Sequence, residues 1–577
     1  MDRGRPALEA IRHFRPSSLL WLPPLLFLGL FYFYPLGSIL QASFARGEGG
    51  PAAAFLEALT SPALRGVLWF TIWQAALSTL LTLLFGLPGA YLLARYRLPG
   101  KSFIQALTTI PFVMPTLVVA AAFNAVLGPR GWVNLALMEW FGLDQPPIQF
   151  TNTLIAILAA HVFYNTTIVL RMVGDFWSHL DPRLSQAAQV LGANRAQALL
   201  RVTLPLILPA VLSAALLVFI FDFTSFGVIL VLGGPRFATL EVEIYYQTIG
   251  LFNLPLAAAL SLLQLGCTLG FTLLYSRLSL RVTRPLPLRP RTFTQKGLHS
   301  WRARLTASLY LTVLVVYLVA PLVGLAARSF TRLDPERGQY SPVARGLTLD
   351  FYRELSINRR ESLFYVPPTT AVAVSFLYAG MTVLLSLLLG LPAAWALARQ
   401  PGGALSRISD PILMLPLGTS AVTLGLGFIL ALSRPPLDLR ASPLMVPLAH
   451  TLVAFPFVVR SLTPALRSIR PRLRQAAAVL GAAPHQIVRQ IDLPLVGRAL
   501  LVASAFAFSI SLGEFGATAL IARPEYPTIP LAIYRFLSQP GALNYGQALA
   551  LSTILMVATA VAMLAIERFR IAEIGEF

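Results

Sequence analysis

The chain of 577 residues is 56% hydrophobic and only 12% charged, with a formal net charge of +21. Soluble domains carry about 25% charged residues, so this deficit excludes an ordinary water-soluble globule. The basic excess sits in short loops between apolar runs, which membrane topology explains and nucleic-acid binding does not; the single cysteine, Cys267, excludes an internal disulfide and a cysteine metal cage.

A basic start (Arg3, Arg5, Arg12, Arg15) leads into an apolar run without a small-residue cleavage site, so the first run is expected to remain as a span. Crossing the hydrocarbon core takes about 20 mostly apolar residues. Runs near 19–42, 67–94, 104–127, 152–179, 206–232 and 254–276 meet this, followed by runs near 306–328, 370–398, 408–432, 444–466, 498–521 and 545–566. They are long and continuous, without barrel alternation, so twelve helices are expected: an all-α integral membrane protein. Pro111 and Pro416 are expected to kink the third and ninth spans.

Loop charges orient the bundle. With the N-terminus inside, the inner segments hold Arg95, Arg97 and Lys101, then Arg183, Arg195 and Arg201, then Arg399 and Arg407. The stretch 277–304 holds Arg277, Arg281, Arg284, Arg289, Arg291, Lys296, Arg302 and Arg304 with no acid, and 467–498 holds six arginines against Asp492. The outer stretch 329–369 is mixed, with Arg332, Arg345 and Arg353 beside Asp334, Glu336 and Glu354. Both termini are therefore expected to be cytoplasmic. Arg171 and Arg460, at the inner ends of their spans, are expected to snorkel towards headgroups.

The second half repeats the first. HVFYNTTIVLRMV from 161 answers HTLVAFPFVVRSL from 450, and PRLSQAAQVLGA from 182 answers PRLRQAAAVLGA from 471, both at an offset of 289. Upstream, GLPGAYLLAR from 86 answers GLPAAWALAR from 390 at an offset of 304. The closest match lies in a polar loop, where shared hydrophobicity cannot create it. Each repeat holds six spans, so the halves run parallel, related by an axis along the membrane normal with a pathway between them. The expected division is 1–277, a basic cytoplasmic linker 278–305, and 306–577.

The repeated loop is built like a docking element. Pro182 or Pro471 can open a short helix; Leu184, Ala187, Ala188 and Leu191 fall at helical spacing; Gly192 or Gly481 can end it in the left-handed region. Pro205 and Pro494 are expected to restart the chain as the next helix. Each half should thus present a short, small-residue helix to the cytoplasm.

At these residues the chain resembles the membrane subunits of binding-protein-dependent ABC importers of type I, whose loop reads Glu-Ala-Ala, three residues, Gly, nine residues, a hydrophobic residue, one residue, Leu-Pro. The pattern fits twice: Gln186, Ala187, Ala188, Leu191 and Gly192 with Val202, Leu204 and Pro205, and Gln475, Ala476, Ala477, Leu480 and Gly481 with Ile491, Leu493 and Pro494. Gln186 and Gln475 replace the family glutamate, keeping its length and losing its charge. The resemblance implies docking of both helices on a separate cytoplasmic ABC ATPase homodimer. ATP and Mg would bind there, and this chain would hold no cofactor and catalyse nothing. It also implies an extracytoplasmic substrate-binding protein and residence in a bacterial or archaeal inner membrane. SFGVILVLGG from 225, TLEVEIYYQT from 239 and SLGEFGATALIARPEYPTIPLAIY from 511 resemble the fused two-repeat branch that carries thiamine or ferric iron.

No P-loop is present: before Gly100-Lys101-Ser102 the required first glycine position is Arg95. Asp222 and Glu514 lie in or near the fifth and eleventh spans, where acids are costly and usually functional. Asp222 aligns with Ser511 and Glu514 with Ser225, and these four are the candidate pathway residues for a small-molecule or metal-ion substrate; a gate or a packing hydrogen bond is the alternative. The equivalent His161 and His450 are more simply bundle hydrogen-bonders than metal ligands. The rival to an ABC permease is an ion-coupled carrier with parallel halves, which has no need of duplicated docking loops.

Overall fold

A computed structural model describes residues 16–44, 53–282, 295–298, 300–333, 343–357, 366–399, 404–433, 435 and 437–571. The expectations for Arg3, Arg5, Arg12 and Arg15, for Arg284, Arg289 and Arg291 of the linker, and for Asp334 and Glu336 lie outside these residues. Among them, 11 helices are long and apolar enough to span a membrane, and a bent pair makes the number 12.

In chain order the principal helices are α1 (Leu19–Ser43), α2 (Pro62–Arg95), α3 (Lys101–Val113), α4 (Thr116–Leu127), α5 (Leu154–His179), α6 (Arg183–Val190), α7 (Ala196–Phe223), α8 (Gly227–Leu232) and α9 (Leu254–Leu278). The second repeat gives α10 (Trp301–Ser329), α11 (Pro368–Arg399), α12 (Ala404–Met414), α13 (Ala421–Ala431), α14 (Met445–Ser468), α15 (Pro471–Val479), α16 (Pro484–Gly513), α17 (Gly516–Ile521) and α18 (Ala542–Ala565). A short hairpin pairs β1 (Thr331–Leu333) antiparallel with β2 (Val343–Leu347).

Four expected continuous spans are interrupted. The run 104–127 divides into α3 and α4, because Met114 precedes Pro115 and takes ψ 135, outside the helical region. The third stretch long enough to cross is Thr116–Phe141, shifted from the expected bounds. The run 408–432 bends by 99° between its two parts; Pro416 sits in the 3-10 turn before the bend, and the Ser420 hydroxyl caps the new helix by accepting from the Val422 and Thr423 N–H groups. The runs 206–232 and 498–521 break at Thr224–Phe226 and Glu514–Phe515, ending α7 and α16 and starting α8 and α17.

By contrast, Pro205 and Pro494 do not restart a helix. Each follows a π-turn, Leu199–Thr203 or Val488–Asp492, in which Leu204 donates to the Leu199 carbonyl and Leu493 to the Val488 carbonyl. The wide turn moves the bonds to the fifth residue back, so the proline's missing N–H leaves the helix running.

Sequence repeats and spatial units are different divisions of the chain. One compact unit comprises 1–42, 370–528 and 558–577; the other comprises 43–369 and 529–557. The first therefore takes its opening helix from the first repeat. Within it, the Tyr32 hydroxyl lies 2.7 Å from Thr419 Oγ1, and the Phe31 and Phe428 rings stand 6.3 Å apart. In the other unit α10, from the second repeat, lies against the first repeat's core. Tyr317 donates to the Ala159 carbonyl at 2.6 Å, Trp132 Nε1 to the Gly324 carbonyl at 3.1 Å, and Tyr310 to the Phe85 carbonyl.

Small residues set the closest helix approaches, as expected where lipid removes the hydrophobic drive. A Cβ on Gly86 would lie 2.9 Å from Val169, and one on the equivalent Gly390 would lie 2.6 Å from Val458. Gly390→Val is expected to cost about 1–3 kcal/mol through overpacking, read as a lower unfolding temperature of the detergent-solubilised chain, whereas Gly380→Val, with nothing within 4 Å of its added Cβ, should leave that temperature close to wild type.

Candidate functional site

The two repeated loops fold as their residues demand. α6 and α15 contain no buried residue. Gly192 and Gly481 end them at φ +93 and +85, which only glycine adopts cheaply. Ala193 then donates to the Ala188 carbonyl and Ala482 to the Ala477 carbonyl, each at 3.0 Å, closing the helix end. Asn194 restarts the first loop, accepting from the Gln197 N–H at 2.8 Å while its own N–H donates to Gln197 Oε1 at 3.0 Å. In the second loop Ala483 N–H donates to Gln486 Oε1 at 2.8 Å.

The apolar residues at these tips face outward. Val190 and Leu191 are 87% and 88% exposed, and Val479 and Leu480 are both 87% exposed. Gln186, Ala187, Gln475 and Ala476 are exposed; Ala188 and Ala477 are half-buried against the following helix. Neighbouring basic segments share the same end of each unit. Arg95 donates to the Leu180 carbonyl at 3.1 Å, and Lys296 N–H donates to the Arg95 carbonyl at 2.9 Å. In the other unit Arg467 donates to the Leu397 carbonyl at 3.3 Å. Arg171 and Arg460 reach across to α3 and α12: Arg171 donates to Thr109 Oγ1 at 2.6 Å, and Arg460 Nε lies 3.4 Å from Met414 Sδ.

A second pair of sites lies deep in the bundles, at the interruptions. His161 Nδ1 is 3.0 Å from Ser78 Oγ and 3.4 Å from Asp222 Oδ1, while its Nε2 is 2.9 Å from Ser225 Oγ. His450 Nδ1 is 2.8 Å from Ser511 Oγ, while its Nε2 is 2.8 Å from Thr518 Oγ1 and 3.2 Å from Glu514 Oε2. Each histidine thus bridges the same two alignment positions, with acid and serine exchanged: Asp222 and Ser225 in one repeat, Ser511 and Glu514 in the other. The structure brings the four candidate pathway residues together only as these two pairs, each within its own unit, and adds the histidines that organise them.

The two acids are not held alike. Glu514 caps α17: Oε1 accepts from the Ala517 N–H at 2.9 Å, and Oε2 from the Thr518 N–H at 3.1 Å and hydroxyl at 2.8 Å. Asp222 Oδ1 accepts from Asn165 at 2.7 Å, and Gln74 donates to the Asp222 backbone carbonyl at 3.0 Å. Asp222 Oδ2 is buried without a hydrogen-bond donor among the described residues. Asn165 and Gln74 had no sequence signal beyond being amides in apolar runs. No group of three or more metal-ligating side chains occurs among the described residues.

A duplicated multi-span bundle with an exposed, glycine-ended helix in each repeat defines the class as a multi-pass membrane protein. The chain belongs to the family of binding-protein-dependent transport system inner membrane components, whose sequence profile matches twice, over residues 83–284 and 365–570. Both matches leave out the opening helix of each repeat. Among relatives, the thiamine transport system permease protein ThiP of Brucella abortus (strain 2308) is 30% identical over 536 residues, 92% of either chain. ThiP of Escherichia coli (strain K12) is 27% identical over 489 residues, 83% of this chain and 85% of that one. The putative 2-aminoethylphosphonate transport system permease protein PhnU of Salmonella paratyphi A is 29% identical over 274 residues, 47% of this chain and 92% of that one. A chain in the crystal structure of the bacterial alginate ABC transporter, in complex with an alginate pentasaccharide-bound periplasmic protein, covers 48% of this chain at 19% identity and a TM-score of 0.40. The protein is thus an ABC importer permease, a multi-pass integral membrane protein and a transport component; the ion-coupled carrier reading gives way to this membership.

The exchanged acid and serine generate a prediction about the buried clusters. Ser225→Glu alone places a second carboxylate beside Asp222 and should lower the unfolding temperature in detergent clearly; two unpaired like charges in a buried site cannot both be satisfied. Adding Asp222→Ser rebuilds the arrangement of the other repeat and should recover most of the loss. A double variant no more stable than the single one would contradict the equivalence.

Proposed function

We propose that this chain forms the translocation pathway of an ATP-driven thiamine importer and is driven by a separate ATPase homodimer gripping α6 and α15. The observation that carries the reading is the pair of exposed apolar tips, Val190–Leu191 and Val479–Leu480, at equivalent positions. Fully burying one such side chain on a partner contributes about 1.5–3 kcal/mol, so leaving all four in water makes sense only if a partner covers them. Two equivalent helices suit a two-fold partner. ATP and Mg would bind on that partner, both chain termini would lie on its side of the membrane, and a soluble binding protein would deliver substrate from the opposite side.

The mechanism follows from rigid docking. Closure of the ATPase dimer would draw α6 and α15 with it, and the continuous helices α7 and α16, reached through unbroken π-turns, would carry that motion to the interruptions at Thr224–Phe226 and Glu514–Phe515. Of the two buried acids, Glu514 is committed to capping, whereas Asp222 keeps one oxygen to offer a cation. A thiazolium-bearing substrate has the matching charge. The thiamine assignment is supported by similarity to ThiP chains over nearly the full length.

Two outcomes test this. Gly192→Pro and Gly481→Pro cannot keep the left-handed φ of the loops. Each should abolish ATP-driven uptake in proteoliposomes while the chain still inserts; undiminished uptake would refute docking through these loops. Calorimetry of the cognate binding protein should show tight binding of thiamine or its phosphates and none of ferric ion; the reverse result would reassign the substrate to iron.

A further inference from the structure

The docking helices are attached to their bundles differently. Arg474 lies on α15, one residue before the glutamine that stands in the family glutamate's place. Its Nε donates to Asp492 Oδ1 at 2.7 Å. Asp492 is 0% exposed and occupies the π-turn through which the docking loop enters the membrane. Its other oxygen lies 3.7 Å from Arg399 Nη2, at the end of α11. Arg399 in turn stands over the Trp395 ring, 5.1 Å from its centre. One buried carboxylate therefore ties the docking helix, the π-turn and a second spanning helix.

The first repeat has no counterpart. At the offset of 289, Arg474 corresponds to Ser185 and Asp492 to Thr203. The Thr203 hydroxyl bonds only locally, to the Ala198 carbonyl at 3.4 Å. Arg95, which corresponds to Arg399, donates to the Leu180 backbone carbonyl ahead of α6.

From this juxtaposition we infer that Arg474, Asp492 and Arg399 form an ionic strut that fixes α15 to its bundle, making the second loop a stiff transmission arm. The inference rests on the docking reading above. It deepens that reading by naming positioning residues which touch neither substrate nor ATPase. A buried carboxylate with two guanidinium partners is costly to assemble but resists displacement once made, because moving one partner strands a charge out of water. Pulling on α15 therefore moves the π-turn and the end of α11 together.

Hydrogen–deuterium exchange on the full chain in nanodiscs tests the tie without any partner. Asp492→Asn should speed exchange of the amides of 471–482 about ten-fold and leave those of 182–193 unchanged, on the scale of losing a charged hydrogen bond. Arg474→Gln, a change at a half-buried site that removes the guanidinium and leaves Asp492 in place, should do the same. Unchanged exchange in both variants would overturn the strut. Transmission is read as substrate imported per ATP hydrolysed with the assembled transporter. This ratio should fall about ten-fold in Asp492→Asn, recover in Asp492→Glu, and stay at wild type in Thr203→Ala. Loosened exchange with an unchanged ratio would overturn the transmission role. A chain that never copurifies with a coexpressed ATPase would instead overturn the docking reading itself.

Discussion

Inside hydrocarbon a peptide group with no partner costs several kcal/mol, and that cost governs how the spans of this protein are allowed to break. At two of the four interruptions a side chain takes over the orphaned backbone. Ser420 caps α13, and Glu514 caps α17 with both oxygens. The π-turns before Pro205 and Pro494 solve the related problem of a missing N–H by shifting the bonding one residue back. An acid in an apolar run, which the sequence marks as a candidate pathway or gate residue, is in the case of Glu514 a backbone cap. That outcome changes the weight between the two acids: the one with an unmet acceptor is Asp222.

Duplication supplies two copies of every device, and the copies have drifted in charge while keeping position. The histidines bridge the same two sites with acid and serine exchanged, so each unit holds one carboxylate beside its histidine although neither carboxylate aligns with the other. The docking loops keep backbone geometry closely, with φ of +93 and +85 at their glycines. The second loop carries an ionic attachment to its bundle at positions where the first repeat has Ser185 and Thr203. Geometry is preserved where a backbone must turn, and chemistry varies where several side chains can satisfy the same neighbour.

Much of the molecule was legible in the chain. The spans follow from apolar length, since a helix must bury about 20 residues' worth of polar backbone in lipid. The short exposed helices follow from Gln-Ala-Ala, a glycine and the spacing to Leu-Pro, because glycine's tolerance of positive φ is a local property. The equivalence of His161 and His450 follows from the offset. What could not be read was the depth at which helices stop: Thr224–Phe226 carries no proline, and Glu514 looks in sequence like a charge rather than a cap.

The sequence by itself determined the membrane class, the duplication and both exposed, glycine-ended loops, because apolar length, loop charge and turn chemistry act over a few residues. Only the tertiary structure decided which unit each opening helix joins and which donors surround Asp222. Only it showed that Arg399, Arg474 and Asp492 meet. Those outcomes depend on contacts between residues distant in the chain, such as Tyr32 with Thr419 or Arg399 with Asp492, where hydropathy says that a helix is buried but not against what.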